Sequence, residues 1–291
     1  MDEQALRQLL RKSKLDHIAD EIVAQARPTV RVQTTPANEA DIPIGASKMG
    51  GFPDLPPEFS YPYWHEALGF IGQFNMAETH PFDHEGLLPD HGLLSFFGEP
   101  SGEPFFTDWS IGLPLPVHSR EDMYKGWQVH YFECDPSTLA RFEPTDDLPE
   151  DEFYPCCAVN LSHTLTIPSP NSETLFPLKL TTHERTTLLN IDFEITFGEF
   201  EDHQRLGSPF ELDGLPFIEA ADQTDRWRRV TPEERLALER DLNQRWTVLF
   251  QLSSSSDLNM DWAGGLLYYC IERERLRVRD FTRVWLEMQF L

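Results

Sequence analysis

Positive charge is what this sequence has least of. Lysine and arginine together number 24 against 49 aspartates and glutamates, leaving a formal charge of −25. The lysines are Lys12, Lys14, Lys48, Lys125 and Lys179 alone. A field of that sign repels phosphate backbones, so nucleic acid is not an expected partner. Cysteine is scarce too. Cys134, Cys156, Cys157 and Cys270 make no C-x-x-C pair, and the adjacent two suit neither a common disulfide nor a zinc knuckle. Reduced structural thiols are expected, as in a cytoplasmic protein. No apolar run reaches the roughly 18–20 residues that span a bilayer. The opening MDEQALRQLLRKSK carries charges where a secretory leader needs an apolar stretch. Neither a membrane nor export is therefore expected. The G-x-S-x-G elbow, the P-loop, H-E-x-x-H and the dinucleotide fingerprint are all missing. No catalytic residue and no cofactor are assigned, and the reading leans away from an enzyme.

What is present is enough apolar material for a sizeable core: 40% hydrophobic and 12% aromatic over 291 residues. Residues 1–27 are expected to form an amphipathic helix docked on the rest, with Leu6, Leu9, Leu10, Ile18, Ile22 and Val23 largely on one face before Pro28. Strands are expected over 29–35, 68–74, 93–97, 127–132, 157–167, 246–252, 265–271 and 283–290. The Gly- and Pro-rich stretch 42–57 reads as a shaped loop, and the acidic 143–152 as a short internal linker. Residues 182–197 are ambiguous. Their β-branched residues argue for a strand, while Leu188, Leu189, Phe193 and Phe197 fall at helical spacing, and a helix is preferred. Thr231-Pro232-Glu233-Glu234 has the form of a capping box and starts a helix running to about Gln244. A short helix is expected from Glu272 to Asp280.

Two stretches resemble each other. Leu68 to Phe74 followed by Gly92 to Phe97 parallels Trp246 to Leu252 followed by Gly265 to Cys270. Each is an apolar strand ending in Gln plus one apolar residue, an irregular loop, and a Gly-Leu-Leu strand bearing two large residues. The expected fold is α+β: a β-rich core from two pseudo-repeated strand-loop-strand units, with the N-terminal helix and a few peripheral helices. Residues 28–291 are then one domain with halves of about 28–145 and 155–291.

The run Ser47 to Pro56, then Trp64, Leu68 to Asn75 and Gly92 to Phe97, resembles the YwqG-like family, a bacterial family of unknown function. The C-terminal run from Leu249 through Asp261-Trp262-Ala263-Gly264-Gly265 to Phe281 and Gln289 matches the family's ending. The family's Leu-Gly-aromatic-Pro segment and following Gln fall at His203 to Pro209, with Ser208 at the aromatic's place and Asp213 at the Gln's. The resemblance implies an α+β fold with internal duplication, and no reaction.

Candidate binding residues follow from these features. Gly50 and Gly51 suit a tight turn that brings backbone close to a ligand. Tyr61, Tyr63, Trp64, Trp109, Trp127 and Trp262 suit an aromatic wall, and Asp261 beside Trp262 is a further candidate binding residue. Gln73 and Gln251 are polar positions in buried strands. Structural turns, core packing and backbone hydrogen bonds are the competing readings. No metal site is assigned; the nearest approach is His80, Asp83, His84 and His91, for which an exposed polar loop is the competing reading. Three functions stay open, in this order. The first is a non-catalytic protein-binding module, of inhibitor or immunity type, engaging a basic partner. The second is a small-molecule or peptide binder using a crevice between the repeats. The third is a metal-dependent hydrolase. A monomer or weak dimer is expected.

Overall fold

A computed structural model describes residues 1–64, 67–98, 120–143, 153–198, 203–261 and 264–290, and structural features are counted over these. In chain order the strands are β1 (Arg27–Pro36), β2 (Lys48–Met49), β3 (Asp54–Leu55), β4 (Gly69–Asn75), β5 (Leu93–Gly98), β6 (Trp127–Phe132), β7 (Ala140–Arg141), β8 (Cys157–Thr166), β9 (His203–Leu206), β10 (Trp246–Ser253), β11 (Leu266–Glu272) and β12 (Trp285–Gln289). The helices are α1 (Glu3–Lys12), α2 (Ala19–Gln25), α3 (Met76–Thr79), α4 (Arg120–Met123), α5 (Thr182–Phe197), α6 (Phe217–Ala220), α7 (Thr224–Arg229), α8 (Pro232–Arg245) and α9 (Arg273–Arg277). No helix among them is long and apolar enough to cross a membrane.

Ten strands form one antiparallel sheet in the order β12-β11-β10-β9-β1-β8-β2-β4-β5-β6; β3 and β7 pair separately. The sheet curls until its ends meet, giving a nearly barrel-shaped body. Trp127 Nε1 on β6 donates to Val284 O beside β12 at 2.8 Å, and the Trp127 and Trp285 rings meet edge to face at 5.1 Å. β10 is buried along its whole length and β11 nearly so. This explains why both read as continuous apolar runs without the alternation of a half-exposed strand. The space inside the curl is filled by rings. Phe74 and Phe250 stand 5.0 Å apart, Phe96 and Phe250 5.2 Å, and Phe96 and Tyr269 5.0 Å. Arg205 is buried over Phe74, 4.4 Å from its centroid.

Two neighbouring pairs of strands share a detail of register. β4 and β5 slip between Phe70 and Gly72, and β10 and β11 slip between Val248 and Phe250. Gln73 then faces Ser95, and Gln251 faces Tyr268.

The expected N-terminal helix breaks in two. Lys14 adopts a left-handed backbone (φ 61°), Leu15 N–H bonds back to Leu10 O, and α2 folds against α1. Burying Leu15 and Ile18 in the cluster formed with Leu188, Ile191 and Ile195 of α5 outweighs the strain of a lysine there. α5 is a helix, started by a reciprocal Thr181–Glu184 capping box. α8 starts the same way at Thr231 and Glu234. β2 and β9 are strands that periodicity did not foretell. They are two and four residues long, and their Lys, His, Gln and Arg side chains are buried by the neighbouring strands, not exposed. The proposed linker 143–152 lies, except for Glu143, outside the described residues.

Candidate functional site

α5 carries two apolar stripes. Leu188, Ile191 and Ile195 face α1 and α2, as an amphipathic helix requires. Leu189, Phe193 and Phe197, four residues apart, form a second stripe, of which Phe197 packs against the main core. Phe193 is 56% exposed and Leu189 42%. This stripe is one wall of a cleft of about 1220 Å³. Phe210 continues it, with its ring 5.0 Å from Phe197. The facing wall is polar, with Gln33, Thr34 and Thr35 of β1, Asn160 of β8 and the serine run 253–256. Gln33 and Asn160 are directly paired across the two central strands of the sheet.

Glu211 lines the cleft, with Asp192 as its acidic neighbour. Burial pushes the Glu211 carboxyl up from an ordinary 4.5 to about 8, and Glu239 adds repulsion. Burial, then the charge of Glu211, raises the neighbouring Asp192 well above the usual carboxylate range. Asp192 Oδ2 has no hydrogen-bond partner. Glu211 is therefore held largely protonated at neutral pH. Asp257 supplies a carboxyl at the rim. A cavity with one aromatic wall and one hydroxyl- and amide-bearing wall suits a ligand that is part apolar and part hydrogen-bonding.

The residues singled out from sequence lie elsewhere. Gly50 and Gly51 do adopt left-handed conformations (φ 59° and 69°), but the backbone they approach is the protein's own. A Cβ on Gly50 would overlap the Pro155 carbonyl, and one on Gly51 the Glu39 carboxylate. Gln73 is saturated internally: Oε1 accepts from Asp54 N at 2.9 Å, and Nε2 donates to Ala46 O at 2.9 Å and Asp54 Oδ2 at 2.7 Å. Gln251 Oε1 accepts from Phe210 N at 3.0 Å, while its buried Nε2 has no partner. Ring packing fills the space between the two glutamine-bearing strands, so neither glutamine borders a cleft there. Trp64 packs on the cluster of Leu55, Leu68, Phe70 and Phe97. Asp261 is exposed. Trp109 and Trp262 lie outside the described residues.

The four loop groups do not converge. His80 is exposed, Asp83 is buried and accepts from Leu88 N, His84 stacks on His163 at 3.9 Å, and His91 bonds to Asp90 and Glu133. No group of three or more His, Cys, Asp or Glu among the described residues is placed to hold a metal ion. A denser charged cluster, which the sequence reading missed, joins Lys48, Glu39, Asp54 and Arg141. Lys48 Nζ lies 2.5 Å from Glu39 Oε1, and Arg141 Nε lies 2.9 Å from Glu39 and 3.0 Å from Asp54. Two cations and two anions offset one another, and each Asp54 oxygen is bonded. The cluster thus ties the loop 42–57 to the sheet.

The cleft residues were missed because they come from well-separated segments. The one sequence signal available was that α5 is apolar on two faces, one more than docking requires. No curated protein matches the chain. The family model for the domain of unknown function DUF1963 matches residues 47–289, which takes in the sheet from β2 to β12 and most of the cleft, and the chain belongs to that family.

Proposed function

We propose that the protein is a non-catalytic binding module that takes an extended segment of a basic partner protein in the cleft beside α5. The observation that carries this reading is the exposed pair Leu189 and Phe193, set with Phe197 in a concavity large enough for several side chains. The charge of −25 supports a basic partner, because it speeds encounter with positive surfaces and disfavours negative ones. An inhibitor or immunity-type role in the cytoplasm fits a module of this kind.

The finer family reading is the YwqG-like one, with a duplicated sheet. Its support is that matching bonds recur at matching places. Lys48 pairs with Gln73 as Gln204 pairs with Gln251. Asn75 N–H donates to Ser47 Oγ at 2.9 Å as Ser253 N–H donates to His203 Nδ1 at 3.1 Å. On this reading the first strand of each half is exchanged: β1 lies beside β9, and β8 lies beside β2. The cleft then opens where the exchanged strands pair, at Gln33 and Asn160.

Affinity capture from the native cell at low salt, followed by calorimetry with the captured protein, tests the function. Binding should weaken steeply with salt. A Leu189→Ser, Phe193→Ser double variant should keep its fold and lose about 10- to 100-fold in affinity. Undiminished binding by that variant would remove the cleft from the interface. A small molecule in the same cleft is the second reading, favoured by the polar wall. A thermal-shift screen in which a compound stabilises the native chain but not the double variant would establish it in place of the first.

A further inference from the structure

A second, smaller cavity shares only Glu211 with the cleft. It sits where three strand ends come together: Arg27 opens β1, Trp246 opens β10, and Arg273 follows β11. Its volume is about 40 Å³. One water needs roughly 10–15 Å³, so the space admits about three waters or a single carboxylate or phosphate group.

The wall is rich in donors. Arg27 is half-buried, and its guanidinium has no hydrogen bond or ion pair among the described residues, in a chain with 49 carboxylate side chains. Arg273 donates from Nε to Trp246 O at 3.2 Å, and its carboxylate neighbour Glu85 stands at 3.8 Å. Burial and then the charge of Arg27 lower the Arg273 pKa, so the two guanidinium groups repel across the cavity. Trp246 and Ser172 also line it. Both are at least nine-tenths buried, and neither Trp246 Nε1 nor Ser172 Oγ has a partner. Two facing guanidiniums and two unsatisfied donors are costly in an empty wall. An oxyanion relieves both at once: it sits between the positive charges and offers several acceptor lone pairs. A cation would relieve neither.

We propose that this cavity is an oxyanion site for the phosphate or carboxylate group of a small molecule, clamped by Arg27 and Arg273. The site borders the cleft through Glu211 alone, and neither guanidinium lines the cleft.

The test titrates the full chain with sodium phosphate, sodium acetate and sodium chloride at matched ionic strength, followed by calorimetry and thermal melting. One oxyanion should bind saturably and raise the melting temperature by about 4 °C at a hundredfold excess over its Kd, with no such rise in chloride. A response to phosphate alone assigns a phosphorylated ligand, and to acetate alone a carboxylate. Arg27→Gln, folded by circular dichroism, should weaken binding about tenfold or more, with Arg27→Lys between it and the native protein. Should Arg27→Gln fail to fold, Ser172→Ala must weaken the same titration. Silence towards both oxyanions, or equal binding by the variant, would overturn the assignment.

Discussion

Gly51→Ala is expected to be among the most damaging single-methyl additions available to this fold, and Gly86→Ala among the mildest. Both glycines have left-handed backbones, at φ 69° and 63°. For alanine that conformation costs about 1–2 kcal/mol. At Gly86 nothing lies within 4 Å of an added Cβ, so the backbone term is the whole cost. At Gly51 the methyl overlaps Glu39 Oε2, and Cys156 Cβ and Sγ stand at 3.0 Å on the other side. Glu39 has little freedom to retreat. Its carboxylate accepts from Phe52 N at 3.1 Å, pairs with Lys48 Nζ at 2.5 Å and lies 2.9 Å from Arg141 Nε. Displacing it strips a partner from Lys48, whose side chain is fully buried. Breaking a buried pair on one side costs about 3–5 kcal/mol. Gly51→Ala should therefore lose about 4–7 kcal/mol, a large share of the roughly 5–15 kcal/mol a domain has. Urea unfolding followed by tryptophan fluorescence and far-ultraviolet dichroism measures both variants. Equal losses within about 0.5 kcal/mol would refute the reasoning, because they would mean that Glu39 swings aside freely and the charged cluster holds nothing.

Two further outcomes follow from the titratable groups and caps. Glu211 has a folded pKa of about 8 against an ordinary 4.5, so the native state binds the extra proton between those values and stability falls as pH rises from about 4.5 to 8. Glu211→Gln should flatten that slope in urea titrations at successive pH values and be relatively more stable above pH 8; an unchanged slope would count against a protonated Glu211. Thr181→Ala removes the side chain that caps α5 and frees its partner Glu184, and should cost about 1 kcal/mol by the same unfolding assay, with a loss below about 0.3 kcal/mol contradicting the cap.

β4, β5, β10 and β11 were legible because burial on both faces makes them apolar from end to end, and β6 because its side chains alternate. Trp127 to Phe132 appears with the boundaries expected, and β10 and β11 begin or end within a residue. What periodicity could not see were strands too short to show a period, such as Lys48–Met49, and the break at Lys14, which no glycine or proline announces. The site was less legible. Gly50, Gly51, Gln73 and Gln251 do occupy constrained places, but the constraint is internal. A buried glutamine or a left-handed glycine reports a close neighbour without saying whether that neighbour is ligand or protein. The cleft depends on α5, β1, β8 and two loops meeting, and Arg27 and Arg273 meet only through the order of the strands that carry them.

If the sheet is duplicated, its two halves have diverged at one corner, and that corner explains where the cleft lies. Lys48 Nζ donates to Phe52 O, and Gln204 Nε2 donates to Ser208 O, each four residues on. Asp54 N–H reaches Gln73 as Phe210 N–H reaches Gln251. In the first half the residue at this place is a carboxylate, and it closes the corner with Lys48 and Arg141. In the second half it is Phe210, which has no charge to pair and turns its ring to Phe193 and Phe197. Gln251 Nε2, lacking the carboxylate that Gln73 bonds, is left without a partner. One half thus spends the corner on a locked ionic cluster. In the other, the Phe210 ring is buried beside Phe193 and Phe197 of α5, and the exposed Leu189 and Phe193 of that helix are the wall on which a partner segment would pack.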